Sequence, residues 1–275
     1  MTSPTIAFIG GGNMAASIIG GLVASGVNPS QLWASDPSQD SLNKLQSLAD
    51  IHTTSDNLAA IAQADIVVMA VKPQIMATVA KDIAEAVQAS RPLIISIAAG
   101  VTSDSLNTWL GGNLAIVRCM PNTPALVQCG ATALFANTAV ADDQKQQAQH
   151  ILDAVGISLW VDEEAELDAV TALSGSGPAY FFMVMEAMQA AGHELGLSPE
   201  VAEKLTLQTA LGAAKMAVSS DVDAAELRRR VTSPNGTTER AIGIFEQGGL
   251  RDLFQKALQG AKTRSEELAK ELEGK

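Results

Sequence analysis

Three consecutive glycines near the start of the chain form the first pattern that can do chemistry. The segment Gly10-Gly11-Gly12-Asn13-Met14-Ala15 has the spacing G-x-G-x-x-A and follows an apolar run, Thr5–Ile9. In this pattern the first glycine permits a tight turn, the second lets the backbone approach a pyrophosphate, and the small last residue lets helix and strand pack closely. We therefore expect the loop to hold the pyrophosphate of a dinucleotide at the start of a helix.

An acidic residue closes the second apolar run. Asp36 follows Leu32–Ser35, about 20 residues beyond the glycine loop, where a carboxylate accepts hydrogen bonds from ribose hydroxyls and repels a 2′-phosphate. Taken alone, Asp36 favours NAD(H), although the hydroxyls of Ser35 and Ser38 are able to donate to a phosphate. The alternative role for Asp36 is to cap the helix that follows.

Two later apolar runs end in segments expected at the same edge of a sheet. These ends are Ala70-Val71-Lys72-Pro73 and Ile97-Ala98-Ala99-Gly100, and the ligand crevice of such a sheet opens at the carboxyl ends of its strands. Lys72 is a candidate partner for cofactor phosphate or ribose, with an ordinary surface lysine as the alternative. Asn122, between two prolines in Met120–Pro124, either hydrogen-bonds the nicotinamide end of the cofactor or belongs to a structural turn.

Two polar loops stand out in the second half of the chain. One is Ser174-Gly175-Ser176-Gly177-Pro178, and the other is Ser233-Pro234-Asn235-Gly236-Thr237-Thr238. The second loop precedes a predicted helix, so its backbone amides form a terminus that suits an anion such as a substrate carboxylate. Helix capping by Thr237 is the alternative, and the two roles are compatible.

The first 162 residues alternate short apolar runs with amphipathic segments. Runs that are apolar at successive positions suit strands buried on both faces, and strand–helix alternation predicts a doubly wound, Rossmann-type α/β domain over residues 1–162. The predicted strands are Thr5–Ile9, Leu32–Ser35, Ile66–Val71, Leu93–Ile97 and Ala115–Cys119, with Ala131–Ala136 and Ser158–Val161 extending the sheet. The predicted helices include Met14–Ser25, Ile75–Val87, Ser103–Leu110 and Asp142–Ala154.

Residues 163–275 are predicted to form an all-α domain. Ser198-Pro199 is a helix start signal and Gly196 a stop signal. Because the domain is rich in alanine and poor in bulky aromatic residues, we expect it to bury part of its surface against a second copy. The predicted helices are Glu166–Leu173, Pro178–Leu195, Pro199–Ser219, Ala224–Val231, Thr237–Gln247 and Leu250–Leu272.

Composition excludes several classes of function. The 275 residues carry a net charge of −12, which disfavours nucleic-acid binding because that needs a basic face. Cys119 and Cys129 lie ten apart, and the three histidines are scattered, so no metal site is predicted. No basic-then-apolar leader and no membrane-length apolar run is present, so we expect a cytoplasmic protein without a membrane partner.

Together these motifs resemble those of the pyrroline-5-carboxylate reductase family. The most specific segments are Leu173–Tyr180, with the sequence Leu-Ser-Gly-Ser-Gly-Pro-Ala-Tyr, and the Ser-Pro-x-Gly-Thr-Thr signature that ends at Thr238. The resemblance spans residues 8 to 238 in order. The matching stretches are Phe8–Ala15, Ala70–Pro73, Ser96–Thr102, Arg118–Pro124, Leu173–Tyr180, Leu211–Met216 and Val231–Thr238.

The resemblance implies the reduction of 1-pyrroline-5-carboxylate to L-proline with NADPH or NADH, the last step of proline biosynthesis. It implies a helical domain that dimerises, with dimers assembling into decamers in many members. It places Thr238 at the imine nitrogen, in a substrate site with Ser233, Gly236, Thr237 and, from the first specific segment, Ser176. The implied cofactor contacts are Ile9, Gly10, Gly11, Gly12, Asn13, Met14, Ser35, Asp36, Asn57, Ala70, Val71, Lys72, Pro73, Ile97, Ala98 and Ala99.

Two departures from the family pattern bear on these implications. Asn235 stands where the family usually has glycine; asparagine tolerates a left-handed backbone, so the loop is expected to keep its shape. Asp36 stands where many members are neutral. The resemblance thus favours NADP(H), while Asp36 keeps NAD(H) open.

Two other functions compete with imine reduction. A β-hydroxyacid-type dehydrogenase would use a lysine of the helical half for proton transfer, with Lys204 and Lys215 as candidates. A non-catalytic, cofactor-binding sensor would explain the glycine loop but leaves Ser233–Thr238 without a purpose. Imine reduction needs no strong protein acid, because a pyrrolinium already carries its proton; this agrees with the lack of histidine and carboxylate in the two loops.

Overall fold

The computed structural model describes residues 4–273, which divide into two compact units. Unit 1 combines the described residues up to Ser176 with those from Gly260 onward, and unit 2 is Gly177–Gln259. This division lies beyond the predicted boundary at residue 162, and it returns the end of the chain to unit 1. The reason is packing: the helix after residue 165 contacts the sheet of unit 1.

Unit 1 is built on an eight-stranded sheet with the order β3-β2-β1-β4-β5-β6-β7-β8. Neighbouring strands are parallel except for β6 and β7, which are antiparallel. The strand order reverses between β1 and β4, which is the switch point at which ligands bind in such sheets. The strands are β1 Ile6–Ile9, β2 Leu32–Ser35, β3 His52–Thr54, β4 Ile66–Met69, β5 Leu93–Ser96, β6 Ile116–Met120, β7 Gly130–Ala136 and β8 Gly156–Trp160.

The central strands are apolar at every position because both faces of the sheet are covered. In β1, Ile6 and Phe8 belong to one buried cluster, while Ala7 and Ile9 belong to the other. This is the period-2 alternation of a strand between two helical layers. The helices of unit 1 are α1 Asn13–Ala24, α2 Gln39–Leu48, α3 Asn57–Ile61, α4 Pro73–Ser90, α5 Ser103–Trp109, α6 Asp142–Asp153 and α7 Glu166–Val170.

The doubly wound α/β prediction is confirmed. All seven predicted strands are present, with ends that differ by one or two residues. The unpredicted strand is β3, at one edge of the sheet; its sequence is His-Thr-Thr, and none of its residues is buried. Such a short, polar edge strand has no apolar pattern from which to predict it.

Unit 2 is helical, as predicted. Its helices are α8 Gly177–Glu194, α9 Pro199–Val218, α10 Ala224–Arg230, α11 Thr237–Gln247 and the first part of α12, Leu250–Glu273. Helix α8 exposes three consecutive large apolar side chains, Phe181, Phe182 and Met183, each more than 60% exposed in the single chain. Contiguous apolar surface of this kind marks an interface. Within residues 4–273, no helix has the length and hydropathy to cross a membrane.

A buried ion pair fixes three segments of unit 1 to one another. Arg118 on β6 is nearly buried, and its Nη1 lies 3.0 Å from Oε1 of Glu164. Glu164 also accepts hydrogen bonds from the backbone nitrogen and the hydroxyl of Ser103, each at 2.6 Å. Strand β6, the start of α5 and the segment before α7 are thereby joined.

Replacing Arg118 with methionine is expected to lower the free energy of unfolding by about 3 kcal/mol, because a partly buried carboxylate loses its cation. Chemical denaturation monitored by circular dichroism measures the loss. The control is Lys204→Met, which removes an exposed partner of Glu200 and should have little effect. Equal stability of Arg118→Met and the wild type would contradict this role for the ion pair.

Candidate active site

The turn at Gly10 requires glycine for two reasons. Its φ of +104° is a conformation that side chains rarely adopt, and a Cβ there would lie 2.7 Å from the carbonyl oxygen of Ala70. The Gly10 nitrogen donates to the carbonyl oxygen of Ser35 at 2.8 Å. The turn is thus held between the ends of β2 and β4, and the chain enters α1 directly above the switch point.

Gly12 leaves open the space that a dinucleotide needs. It is exposed, it is the N-cap of α1, and a Cβ built on it would meet nothing within 4 Å. The first amides of a helix have no intrahelical acceptor, so the start of α1 offers donors and a positive dipole end to an anion. The residues present therefore fit a nicotinamide dinucleotide with its pyrophosphate at Gly10–Asn13.

Asp36 bridges the glycine loop and the turn that follows β2. Its Oδ2 accepts from the Gly11 nitrogen at 2.7 Å, and its Oδ1 accepts from the Ser38 nitrogen at 2.8 Å. The N-cap of α2 is Ser38, so Asp36 does not have the capping role considered above. A carboxylate has about four acceptor positions, so Asp36 can still accept from a ribose hydroxyl.

Ser35 and Asn57, both implied as cofactor contacts, are hydrogen-bonded to each other. Ser35 is fully buried, and its hydroxyl donates to Oδ1 of Asn57 at 2.6 Å. In this geometry the single hydroxyl proton of Ser35 is engaged by Asn57 and is not directed at a cofactor phosphate. Ser35 orients Asn57, which is half-buried at the start of α3.

The segments that follow β4 and β5 line a cavity of about 530 Å³ within unit 1. Pro73 and Ala99, predicted as cofactor contacts, lie in its wall together with Ser176, predicted as a substrate contact. Lys72 is the N-cap of α4 and is exposed. The remaining lining includes Ala261, Arg264, Ser265, Leu268, Glu271 and Leu272 of the C-terminal helix.

The sequence predicted the C-terminal helix but not that its residues line this cavity. The Ser265 hydroxyl donates to Oδ1 of Asp168 at 2.6 Å, and Leu272 joins one of the two buried clusters of the sheet. Neither contact has a local sequence signal, because the partners are nearly 100 residues or more away along the chain. An apolar stripe in a helix shows that one face is buried but not against which surface.

Asn122 and Cys119 have structural roles at the end of β6. Asn122 is nearly buried; its Nδ2 donates to the Ser174 carbonyl oxygen at 3.0 Å, and its Oδ1 accepts from the Ala131 nitrogen at 2.9 Å. The geometry thus favours the structural alternative over a nicotinamide contact. Burial raises the pKa of the Cys119 thiol far above its ordinary range, against a smaller opposing effect of Arg118, so Cys119 is a neutral core residue.

The loop Ser233–Thr238 of unit 2 keeps the shape expected for it. Asn235 adopts φ +56°, which confirms that asparagine takes the left-handed conformation there. Its nitrogen donates to Oε2 of Glu239 at 2.7 Å. Because the Gly236 nitrogen donates to the Ser233 carbonyl oxygen at 3.0 Å, that amide is already engaged, and the first-turn amides of Thr237 and Thr238 are left for an anion.

In α10, the helix that precedes this loop, Glu226 is paired within its own helix. Glu226 accepts hydrogen bonds from Arg229 and Arg230, which lower the pKa of its carboxyl to about 2.

Lys204, a candidate proton donor in a β-hydroxyacid-type dehydrogenase, is exposed, and its Nζ lies 2.6 Å from Oε1 of Glu200. Among residues 4–273, no group of His, Cys, Asp and Glu is arranged to hold a metal ion.

The fold and the glycine cradle define a dinucleotide-binding oxidoreductase with an additional helical unit. Residues 5–100 match a family described as "NADP oxidoreductase coenzyme F420-dependent", and residues 164–268 match "Pyrroline-5-carboxylate reductase dimerisation". The chain belongs to the pyrroline-5-carboxylate reductase family. It is 56% identical to the enzyme of that name from Pseudomonas aeruginosa, over 99% of both chains, and 43% identical to that from Vibrio alginolyticus, over 98% and 99%.

Solved structures agree with this assignment. A pyrroline-5-carboxylate reductase from Coxiella burnetii has a TM-score of 0.94 and 47% identity, over 97% of this chain and 99% of that one. The Plasmodium falciparum pyrroline carboxylate reductase with NADP bound has a TM-score of 0.86 and 29% identity, over 98% and 99%. A 3-hydroxyisobutyrate dehydrogenase from Mycobacterium tuberculosis, at 18% identity, TM-score 0.51 and coverage of 72% and 67%, shares the fold alone.

Gly12→Ala is expected to weaken dinucleotide binding by about tenfold or more, since a methyl group would fill the space that the pyrophosphate approaches. The fold should survive, because replacing an N-cap glycine costs about 1 kcal/mol or less. Calorimetric titration with NADP⁺ measures the affinity. The control is Gly20→Ala in α1, where a Cβ also meets nothing within 4 Å; unchanged binding by Gly12→Ala would exclude this position of the pyrophosphate.

Proposed function

We propose that this chain catalyses the reduction of 1-pyrroline-5-carboxylate to L-proline, the last step of proline biosynthesis. The observation that carries the proposal is that a dinucleotide cradle and the Ser233–Thr238 loop occur in one chain. That chain is 56% identical over 99% of its length to a relative named for this reaction. The cofactor is NADP(H), supported by the family match of residues 5–100 and by the relative with NADP bound.

The substrate is a cyclic imine that carries a carboxylate, and each group needs a different partner. In unit 2, the Thr237 and Thr238 amides at the start of α11 hold the carboxylate, aided by the dipole of an 11-residue helix. The Ser233 side chain lies on the same loop. In unit 1, Ser176, which the resemblance also implies as a substrate residue, lines the cavity with Pro73 and Ala99.

Proton supply is the second task of the protein. When bound, a reduced nicotinamide would supply a hydride to the imine carbon, and the electrons of the C=N π bond would move to nitrogen. Because the nitrogen of a pyrrolinium substrate is already protonated, hydride transfer leaves a neutral amine, so the protein must keep that N–H oriented rather than deliver a proton from a strong acid. The Thr238 hydroxyl oxygen orients the ring by accepting a hydrogen bond from this N–H. Thr238 is therefore the catalytic residue and acts mainly by positioning the substrate.

Oxidation of NADPH at 340 nm on addition of pyrroline-5-carboxylate tests the proposed reaction directly, and proline must accumulate in equal amount. The same assay distinguishes the two competing functions from imine reduction and from each other. NADP⁺ reduction with a β-hydroxy acid and none of the imine reaction would favour the dehydrogenase. Nucleotide binding without either reaction would favour a sensor.

Thr238→Ala is expected to lower kcat by about 10² while leaving the Kd for NADPH unchanged, because the hydroxyl oxygen that accepts from the reacting N–H, and so positions the ring, is lost. Thr238→Ser keeps the hydroxyl and should retain most of the wild-type kcat. Stopped-flow single turnovers with each variant measure the chemical step apart from product release. Wild-type turnover in Thr238→Ala would remove Thr238 from the mechanism.

Self-association through unit 2 is the basis of a further part of the proposal, a homodecamer of five dimers in the cytoplasm. The apolar residues exposed on α8 and the family description of residues 164–268 support a dimer, and the resemblance to family members supports the decamer. The cytoplasmic location is supported by two free thiols, Cys119 and Cys129, which persist in reducing compartments.

Sedimentation equilibrium is expected to give ten times the 28.5 kDa mass of the chain. Phe182→Glu should reduce the mass, because a charge would enter the apolar surface of α8. Leu48→Glu is the matched control, as Leu48 is also exposed but lies on α2 of unit 1. A wild-type mass of two chains would limit the assembly to the dimer, and a monomer would contradict both.

A further inference from the structure

Basic residues are scarce in the part of the chain that contains the glycine loop and Asp36. Residues 1–71, which run from the start of the chain past β4, contain a single Lys or Arg, which is Lys44. The same stretch contains five acidic residues: Asp36, Asp40, Asp50, Asp56 and Asp65. Lys72 follows directly, but it lies at the start of α4 after β4, whereas β2 and Asp36 lie on the other side of β1. Lys44 is therefore the basic residue of the segment that contains β2 and the glycine loop.

Lys44 lies beside the glycine loop. Its Nζ donates to Oδ1 of Asn13 at 3.1 Å, and Asn13 is the first residue of α1, directly after Gly12. Both side chains are exposed, so the ammonium group can leave the amide oxygen for a stronger acceptor. A phosphate is such an acceptor, because hydrogen bonds between two charged groups are about twice as strong as those between neutral groups.

The buried side chain of Leu45 fixes this turn of α2 against the glycine loop. Leu45, the neighbour of Lys44, is fully buried, and its Cδ1 would lie 3.1 Å from a Cβ on Gly11. The position of Lys44 near the loop is therefore set by the core, and only its flexible stem and ammonium group adjust. A lysine suits this role as a mobile point charge.

The engagement of Asp36 leaves the choice of cofactor to another residue. Both carboxylate oxygens already accept from backbone amides, one from Gly11 in the glycine loop and one from Ser38 in the turn after β2, which spreads part of the negative charge over fixed dipoles. Repulsion of a 2′-phosphate by Asp36 is thereby reduced, and a cation on the adjoining helix can outweigh it. Asp36 by itself would favour NADH; together with Lys44 the site accepts NADPH.

We propose that Lys44 binds the 2′-phosphate of NADP(H) and is the residue that gives this chain its preference for NADPH over NADH. This assignment rests on the proposed function only in taking a nicotinamide dinucleotide as the cofactor. Lys44 is not required for hydride transfer. It acts by contributing affinity to the one group that distinguishes the two cofactors.

Calorimetric titration of the intact protein with NADP⁺ and NAD⁺, in the absence of the imine, tests the assignment. Lys44→Met should raise the Kd for NADP⁺ about tenfold or more, which is about 1.4 kcal/mol, and change the Kd for NAD⁺ less than twofold. Lys44→Arg should keep most of the NADP⁺ affinity. Added salt should weaken NADP⁺ binding more in the wild type than in Lys44→Met, because screening acts on the lost ion pair.

The control for removal of one positive charge is Lys256→Met, at an exposed position on α12 in unit 2, which should change neither affinity. Equal loss of NADP⁺ and NAD⁺ binding in Lys44→Met would overturn the proposal, since it would place the ammonium group at the shared pyrophosphate. Unchanged affinity for both would overturn it as well. Retained NAD⁺ affinity shows that a variant is folded, and failure of the imine reaction does not enter these measurements.

Discussion

The turn at Gly10 is the constraint on which the nucleotide-binding part of unit 1 depends. Its positive φ and the 2.7 Å approach of a would-be Cβ to the Ala70 carbonyl oxygen exist because three parallel strands, β2, β1 and β4, end side by side. The close approach lets the chain rise from β1 and start α1 within four residues. Any side chain at this position would push the loop away from the sheet, and the amides at the start of α1 would no longer point at the crevice.

Net charge and local charge act in opposite directions in this protein. The chain carries −12 overall, yet each proposed ligand is bound through an anionic group, a phosphate or a carboxylate. The proposed binding groups are mostly backbone amides at the first turns of α1 and α11, which carry partial positive charge that titrates with nothing and does not depend on net charge. The Lys44 ammonium group adds the single full charge near the first of these. Long-range repulsion is screened by salt within about 10 Å, so these short contacts dominate.

Local sequence patterns predicted the fold and the polar loops. They did not predict the hydrogen-bond partners of individual polar residues, because those partners lie far away along the chain. Apolar runs identified the buried strands, and the left-handed backbone of Asn235 was predicted from the chemistry of one residue. In contrast, the burial of Ser35 against Asn57 and the engagement of both ends of Asn122 depend on partners 9 to 52 residues away. A polar residue at the end of a strand is equally consistent with a ligand contact and with a structural hydrogen bond until its partners are known. The division into units differs from the predicted boundary at residue 162 because α7 and the last turns of α12 pack on the sheet of unit 1.

The two units also differ in what their own residues can stabilise. Unit 1 contains nearly all of the buried apolar side chains, in two clusters that sandwich one sheet. The helices of unit 2 bury few of theirs, and α8 exposes phenylalanine and methionine side chains that water solvates poorly. A helical unit of this composition gains its stability when those faces are covered by another copy of the chain. Self-association through these faces therefore contributes to the stability of unit 2, whereas unit 1 has a core of its own.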